Sequence, residues 1–143
     1  MVEQRHFEDV QTNDELPPVV ESADELRMFF FSAATNNGHR IHYDLPYAQS
    51  EGHPALLVHG PLQAAWMGKY VTDWAGPDGH LVRFAIQNRG SAYPRQPLTF
   101  SGRVVGKREE DGRGLVDLEL VETNPEGAVL MPGSATVSLP RRA

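Results

Sequence analysis

Apolar residues in the first half of the chain recur at three- and four-residue intervals, the period of an amphipathic helix. This pattern predicts a helix over residues 22–34, with Ser22 as its N-cap and Glu25 completing a capping box. The helical spacing returns over residues 59–74, where small side chains would let a layer of strands approach closely. The apolar positions that indicate the first helix are Leu26, Phe29, Phe30 and Ala33.

Prolines and one carboxylate mark the shorter elements. Residues 7–18 are predicted to form an extended lead-in, because Pro17 and Pro18 disfavour a helix. Asp44 predicts a second, short helix, since a carboxylate can cap it and the proline two residues later is tolerated in a first turn. Gly52 and Pro54 are predicted to end that helix.

In the second half of the chain the apolar period becomes two, which is typical of strands with one buried face. The turn-forming sequences E-D-G and N-P-E-G separate the later strands. Helices followed by a meander of antiparallel strands predict an α+β domain. The alternation covers residues 82–86, 98–104, 116–120 and 135–139.

Length and composition limit the class of protein. With 143 residues, the chain is predicted to form a single domain over residues 1–143. No apolar run approaches the roughly 18 residues of a membrane span, and the amino terminus lacks the apolar core of a signal peptide. We therefore expect a soluble protein without membrane association, and the cytoplasm is the compatible location.

Charge and cysteine content exclude further classes. The formal net charge of −6 disfavours nucleic-acid binding, which needs clustered lysine and arginine. The absence of cysteine removes disulfides, thiolate nucleophiles and thiolate zinc sites. The spacing of the six histidines indicates no metal site either, so no metal is predicted.

Two sequence stretches carry the candidate chemistry: N-N-G-H-R-I-H-Y-D at residues 36–44 and L-V-H-G-P-L at residues 57–62. Together they resemble the hydratase motif of the MaoC-like enoyl-thioester hydratases and dehydratases, most closely the mesaconyl-CoA hydratase and 3-hydroxyacyl-thioester dehydratase branch. The resemblance spans essentially the whole chain and implies a hot-dog fold, a curved antiparallel sheet wrapped around a central helix. It aligns His42 with the family's catalytic histidine. Asn37 then stands where many members have aspartate.

The resemblance implies roles that suit the chemistry of the residues. A histidine titrates near neutral pH, so His42 is predicted to be the general acid/base. Asn37 cannot transfer protons, but its carboxamide could position water or substrate; alternatively it only builds a tight turn. Gly60 stands at the start of the predicted helix, and its N–H is predicted to stabilise negative charge on a thioester oxygen; alternatively it is an ordinary loop glycine.

The residues beside these three are predicted to contact the substrate. Arg40 could meet a phosphate of CoA, although a solvated arginine is the alternative, and His39 and His59 flank the site. Asp44 is either a carboxylate partner for His42 or the helix cap described above. No cofactor is expected beyond the CoA or acyl carrier of the substrate itself.

The predicted function is reversible hydration of an enoyl-CoA or dehydration of a 3-hydroxyacyl-CoA. Two alternatives remain open. The chain could be a non-catalytic or half-site acyl-CoA-binding subunit, because mesaconyl-type relatives carry this region within a double hot dog. It could also be a hot-dog thioesterase, although Asn37 disfavours that activity. A single hot-dog unit is expected to pair with a second one, as a homodimer or as a heteromer.

Overall fold

The computed structural model describes residues 4–142, which form one five-stranded sheet and three α-helices. The ends of the predicted domain and the first three of the six amino-terminal residues on which the absence of a signal peptide was argued lie outside this range. Two short 3-10 turns complete the chain, at Phe7–Asp9 and Arg40–His42. The helices are α1 (Glu25–Thr35), α2 (Leu45–Ser50) and α3 (Gly60–Ala75), and the strands are β1 (Glu15–Glu21), β2 (His80–Ile86), β3 (Leu98–Glu110), β4 (Arg113–Thr123) and β5 (Val129–Leu139).

The sheet has the strand order β1-β3-β4-β5-β2, and every neighbouring pair is antiparallel. The predicted alternation is longest in β4, where residues 114, 116, 118, 120 and 122 are all buried. This curved sheet and the helix that it enfolds confirm the predicted α+β hot-dog fold.

Helix α3 supplies the helical half of the core. It begins at Gly60 with Pro61 in its first turn, where a missing N–H costs nothing. Its buried face includes Trp66, whose ring meets Phe100 of β3 edge-on with centroids 6.3 Å apart. Burying each such large side chain stabilises the fold by about 1.5–3 kcal/mol. The helix ends at Gly76, whose φ of 86° favours glycine.

The predicted start of α1 is wrong. Its N-cap is Asp24 rather than Ser22, and the Asp24 carboxylate accepts a hydrogen bond from the Arg27 N–H at 2.8 Å. A Ser22 cap would need two further residues to be helical, and both precede the first turn. Glu25 therefore opens the helix instead of closing a capping box.

The lead-in predicted over residues 7–18 is only partly extended. It begins with a 3-10 turn, and its second part belongs to β1, an edge strand paired with β3 alone. Pro17 and Pro18 lie where the register shifts between Leu16 and Val19, so neither proline has to donate to the ladder.

The apolar residues that indicated α1 mostly face outward. Leu26, Phe29 and Phe30 are each about 60% exposed, whereas Met28 is fully buried. Among the described helices none is long and apolar enough to cross a membrane. The cytoplasmic location stays a prediction.

Candidate active site

His42 ends the 3-10 turn that follows α1, and its ring is held in one orientation. Its Nδ1 lies 2.8 Å from the carbonyl oxygen of Leu57. Because a carbonyl can only accept, Nδ1 must carry the proton and donate it. Nε2 is then the unprotonated nitrogen, and no described residue hydrogen-bonds to it. This is the tautomer that a general base requires.

The ring of His42 stacks on that of His59, with centroids 3.7 Å apart and planes inclined by 20°. His59 is fully buried: its Nε2 shares a 2.7 Å hydrogen bond with Ser32 Oγ, and Phe31 meets its ring edge-on. Full burial places His59 beneath His42 rather than on an open surface. A buried ring in this place is better suited to hold His42 in position than to make the substrate contact that the sequence predicted. The role of His59 stays a prediction.

Burial sets the protonation of both rings. Loss of solvent and the neighbouring His42 lower the pKa of His59 to about 4, so this ring is neutral at pH 7. Burial also lowers the pKa of His42, although its hydrogen bond to Leu57 opposes the shift, and nearby His39 lowers it further. His42 is therefore unprotonated near neutral pH and able to accept a proton.

Gly60 lies one residue beyond His59, at the amino terminus of α3. The His59 carbonyl accepts from the N–H groups of Leu62 and Gln63, both at 3.1 Å. Within the described part of the chain, nothing accepts a hydrogen bond from the Gly60 N–H. A free donor at the positive end of a helix dipole can stabilise a developing oxyanion. The catalytic role of Gly60 stays a prediction with a suitable geometry.

Asn37 takes part in the turn that links α1 to His42. Asn36 closes α1 with a left-handed φ of 53°. The backbone N–H of Asn37 donates to Ser32, and its side-chain oxygen accepts from the N–H of His39 at 3.2 Å. Turn chemistry is therefore present, while the half-buried carboxamide keeps its NH2 group free of other described residues. Its role toward a substrate stays a prediction.

Arg40 and Asp44 form an exposed ion pair beside the site. The Arg40 guanidinium donates to Asp44 at 2.6 Å and lies over the ring of Tyr47. The Asp44 carboxylate also accepts from the Tyr47 N–H, which confirms the predicted cap of α2. The Asp44 carboxylate therefore hydrogen-bonds to Arg40 and Tyr47 rather than to His42. A phosphate would have to share Arg40 with Asp44, and the predicted contact of Arg40 with CoA stays open.

His39 lies at the rim of the site. It is exposed, and its ring centroid is 6.0 Å from that of His42. Its substrate contact also stays a prediction. Within residues 4–142, no three histidine or acidic side chains are grouped as metal ligands, and the prediction that no cofactor is needed stays untested.

Sequence reasoning missed several residues that shape the site. Leu57 contributes only a carbonyl, which any residue type has, so no sequence signal could reveal it. Ser32, which hydrogen-bonds to His59, is one turn before the end of α1. Asn88, whose side chain lies against Gly60, follows β2, and neither residue belongs to the motif. In the core rather than at the site, Glu122 continues the inward alternation of Leu118 and Leu120, and that position was the one available signal of a buried acid.

Comparison with known proteins assigns this arrangement to a family. The model of hydroxyacyl-thioester dehydratase type 2 matches residues 3–93, well over half of the chain. The chain belongs to this family. The match includes both motifs of the site, so the resemblance to MaoC-like hydratases is confirmed.

Two curated relatives are named as hydratases. Mesaconyl-C(4)-CoA hydratase of Chloroflexus aurantiacus is 37% identical over 132 residues, which cover 87% of this chain and 42% of the relative. The beta subunit of 3-oxo-4,17-pregnadiene-20-carboxyl-CoA hydratase of Mycobacterium tuberculosis is 28% identical over 109 residues, covering 76% of this chain and 79% of the relative. The chain thus spans less than half the length of the first relative.

A solved structure supports the fold. The MaoC-like dehydratase from Rhodospirillum rubrum superposes with a TM-score of 0.84 at 16% identity, covering 97% of this chain and 99% of that one. At this identity the likeness concerns the fold alone.

Proposed function

We propose that this protein catalyses the reversible hydration of an enoyl-CoA thioester to the 3-hydroxyacyl thioester. One observation carries the proposal. The unprotonated Nε2 of His42 and the free N–H of Gly60 belong to one assembly, because His42 stacks on the residue that immediately precedes Gly60. A base and an oxyanion donor side by side are what addition to a conjugated thioester requires.

The reaction can be written with these two groups. Nε2 of His42 takes a proton from water as the water oxygen bonds to C3 of the enoyl group. The electron pair of the C2=C3 bond moves toward the thioester carbonyl, and the resulting enolate oxygen accepts a hydrogen bond from Gly60. The protonated His42 then returns the proton to C2. Dehydration is the reverse sequence.

Asn37 contributes positioning in this scheme. Its oxygen already accepts from His39, and its NH2 group remains for the acyl group or the water. Since an amide cannot take the proton, a single histidine handles both proton transfers. This assignment agrees with the lowered pKa of His59, which removes the second histidine as a rival base.

The names of the two relatives support CoA thioesters as substrates, because both are CoA hydratases. We propose that the exposed Arg40 contributes to binding the CoA phosphates by exchanging its ion pair with Asp44 for a phosphate.

The second candidate function is a half-site subunit that requires another hot-dog unit for activity. Its support is the coverage of 42% of the mesaconyl-C(4)-CoA hydratase and the name of the beta subunit among the relatives. The sheet also has two edge strands, since β1 pairs only with β3 and β2 only with β5. We propose that a second unit, identical or different, covers one of these edges.

A panel of enoyl-CoA substrates tests the proposed function. Hydration removes the absorbance of the conjugated thioester, and a thiol reagent in the same samples detects any free CoA. Loss of the conjugated absorbance without free CoA is the expected result. Release of CoA would support the thioesterase alternative. Inactivity of the isolated chain, relieved by adding a second hot-dog subunit, would support the half-site alternative.

A further inference from the structure

We propose that Asn88 is a second catalytic donor, whose side-chain NH2 group hydrogen-bonds the thioester carbonyl oxygen together with the Gly60 N–H. This inference rests on the proposed function and extends it by one residue. It would place two donors, from separate elements of the fold, around the atom on which negative charge develops.

The contact between Gly60 and Asn88 carries the inference. A Cβ built on Gly60 would overlap Asn88 Nδ2 and lie 3.4 Å from Asn88 Cγ. The carboxamide thus occupies the space that any other residue at position 60 would fill. Asn88 Nδ2 thus lies against the first residue of α3, and Gly60 itself has no positive φ that would demand glycine.

The spacing of the two nitrogens fits one shared acceptor. Given standard bond lengths, this contact puts the Gly60 nitrogen and Asn88 Nδ2 at most about 5 Å apart. Two N–H···O bonds of about 2.9 Å each can therefore meet at a single oxygen. An oxyanion hole works through fixed donors that converge on one atom in this way.

The backbone on both sides of Asn88 is anchored, so the side chain is presented by a fixed segment. The Gln87 N–H donates to Pro132 at 3.0 Å, and the Arg89 N–H donates to Leu130 at 2.8 Å. The side chains of Gln87 and Arg89 hydrogen-bond to each other, with the Arg89 Nε donating at 2.9 Å. Neither neighbour therefore competes for the carboxamide of Asn88.

A further bond joins this segment to the residues before α3. Val58 lies two residues before Gly60, and Ala92 lies four residues after Asn88. The Val58 N–H donates to the Ala92 carbonyl at 2.9 Å. Asn88 itself is exposed, and its side chain hydrogen-bonds to no other residue in the described part of the chain. Its two N–H donors are free for a ligand at the one place where Gly60 also offers a donor.

Steady-state kinetics give the first test. Asn88→Ala is expected to lower kcat for crotonyl-CoA hydration by roughly 100-fold or more, the scale seen when one oxyanion donor is removed, with a smaller change in KM. Asn88→Asp should be at least as impaired, because a carboxylate beside an enolate repels it. Gln87→Ala is the matched control, since its exposed side chain hydrogen-bonds only to Arg89 among the described residues, and it should keep wild-type kcat.

Infrared spectra of bound crotonyl-CoA, labelled with ¹³C at the thioester carbonyl, separate a donor from a structural residue. The His42→Ala background prevents turnover while keeping both donors. The carbonyl stretch should shift to lower frequency on binding, and adding Asn88→Ala should reverse a substantial part of that shift. Adding Gln87→Ala should reverse none of it.

The outcomes distinguish this inference from the proposed function. An unchanged carbonyl frequency after loss of Asn88 would overturn the inference, even if kcat fell, because the residue would then only shape the loop. If the carbonyl frequency depends on Asn88 but the protein hydrates no enoyl-CoA, Asn88 is a donor to the thioester and the proposed function is refuted. Failure to bind any enoyl-CoA of the substrate panel would overturn both.

Discussion

The imidazole rings of His42 and His59 stack with their centroids 3.7 Å apart, although 16 residues separate them in the chain. Two positively charged rings at this distance would repel each other, so the stack disfavours charging both rings. The buried ring of His59, with a pKa of about 4, is the one that stays neutral. The stack therefore assigns proton transfer to His42 alone.

The first prediction concerns the pH dependence of hydration. Burial lowers the pKa of His42, so the unprotonated base should persist below the ordinary histidine value of about 6.5. The profile of kcat/KM should be flat around neutrality and fall on the acid side with a midpoint under that value. If the midpoint of the acid-side fall in kcat/KM lies at or above the ordinary histidine pKa of about 6.5, the assignment of His42 as the general base is contradicted.

The second prediction separates the two roles of Asn37. Asn37→Asp should keep measurable hydratase activity, because related enzymes bear aspartate at this position and the carboxylate can still accept from the His39 N–H. Asn37→Ala should lose most of its activity, since it retains no group for water or substrate. Enzyme assays and circular dichroism on all three proteins check this. Equal, full activity in the three would reduce Asn37 to a turn residue.

The third prediction concerns Glu122, an acid enclosed between its cross-strand neighbours Phe100 and Met131. Neither of its carboxyl oxygens has a hydrogen-bond partner among the described residues, and burial raises its pKa to about 7. The folded state thus holds this proton more tightly than the unfolded chain. The stability that this gives is complete below the unfolded value of about 4.3 and is lost as the pH rises through 7.

Glu122→Gln removes that titration. The free energy of unfolding of this variant, relative to the wild type, should rise by about 2 to 3 kcal/mol between pH 5 and pH 8. Urea unfolding at the two pH values measures the change. Glu119→Gln is the control. It removes an exposed carboxylate of β4 that pairs with Arg103 of β3, and it should change the pH dependence of the free energy of unfolding little. A pH-independent difference for Glu122→Gln would show that its carboxyl titrates normally.

Periodicity along the chain predicted most of the fold, because each helix or strand buries one face of its own sequence. The alternation of Val116, Leu118 and Leu120 placed β4, and helical spacing placed α3 to within a residue or two. Periodicity did not predict β1, because Pro17 and Pro18 interrupt the pattern of a strand. The register shift of this edge strand accommodates both prolines. In α1 the residues with helical spacing, among them Phe29 and Phe30, are exposed, whereas Met28, which lies outside that pattern, is buried.

The site was predictable only as far as the motif extends. His42, Asn37 and Gly60 stand in two short stretches, so sequence alone could propose them. The stack on His59, the carbonyl of Leu57 that fixes the tautomer and the approach of Asn88 are long-range contacts. No local pattern encodes such contacts, because they depend on how the segments pack.

The fourth prediction is that the chain associates through β2. This edge strand exposes Leu81 and Val82, and β5 is its sole partner within the described sheet. We expect a dimer at micromolar concentration, burying more than about 1,000 Å². Val82→Lys should weaken it, since an edge lysine opposes strand pairing.

Light scattering on the purified proteins measures this association. Val105→Lys, on the interior strand β3 and similarly exposed, is the matched control and should leave the dimer intact. A monomer that is inactive alone would refute the homodimer and favour a heteromer. A monomer with full activity would contradict both forms of the prediction.

The most direct test of the account is the kcat/KM of His42→Ala for enoyl-CoA hydration. Removing a general base should lower this constant by about two orders of magnitude or more. His39→Ala, which removes an exposed ring near the same site, should have a much smaller effect. Circular dichroism must show that both variants are folded. A folded His42→Ala protein that hydrates its substrate at the wild-type rate would contradict the assignment of proton transfer to His42 and, with it, the proposed mechanism.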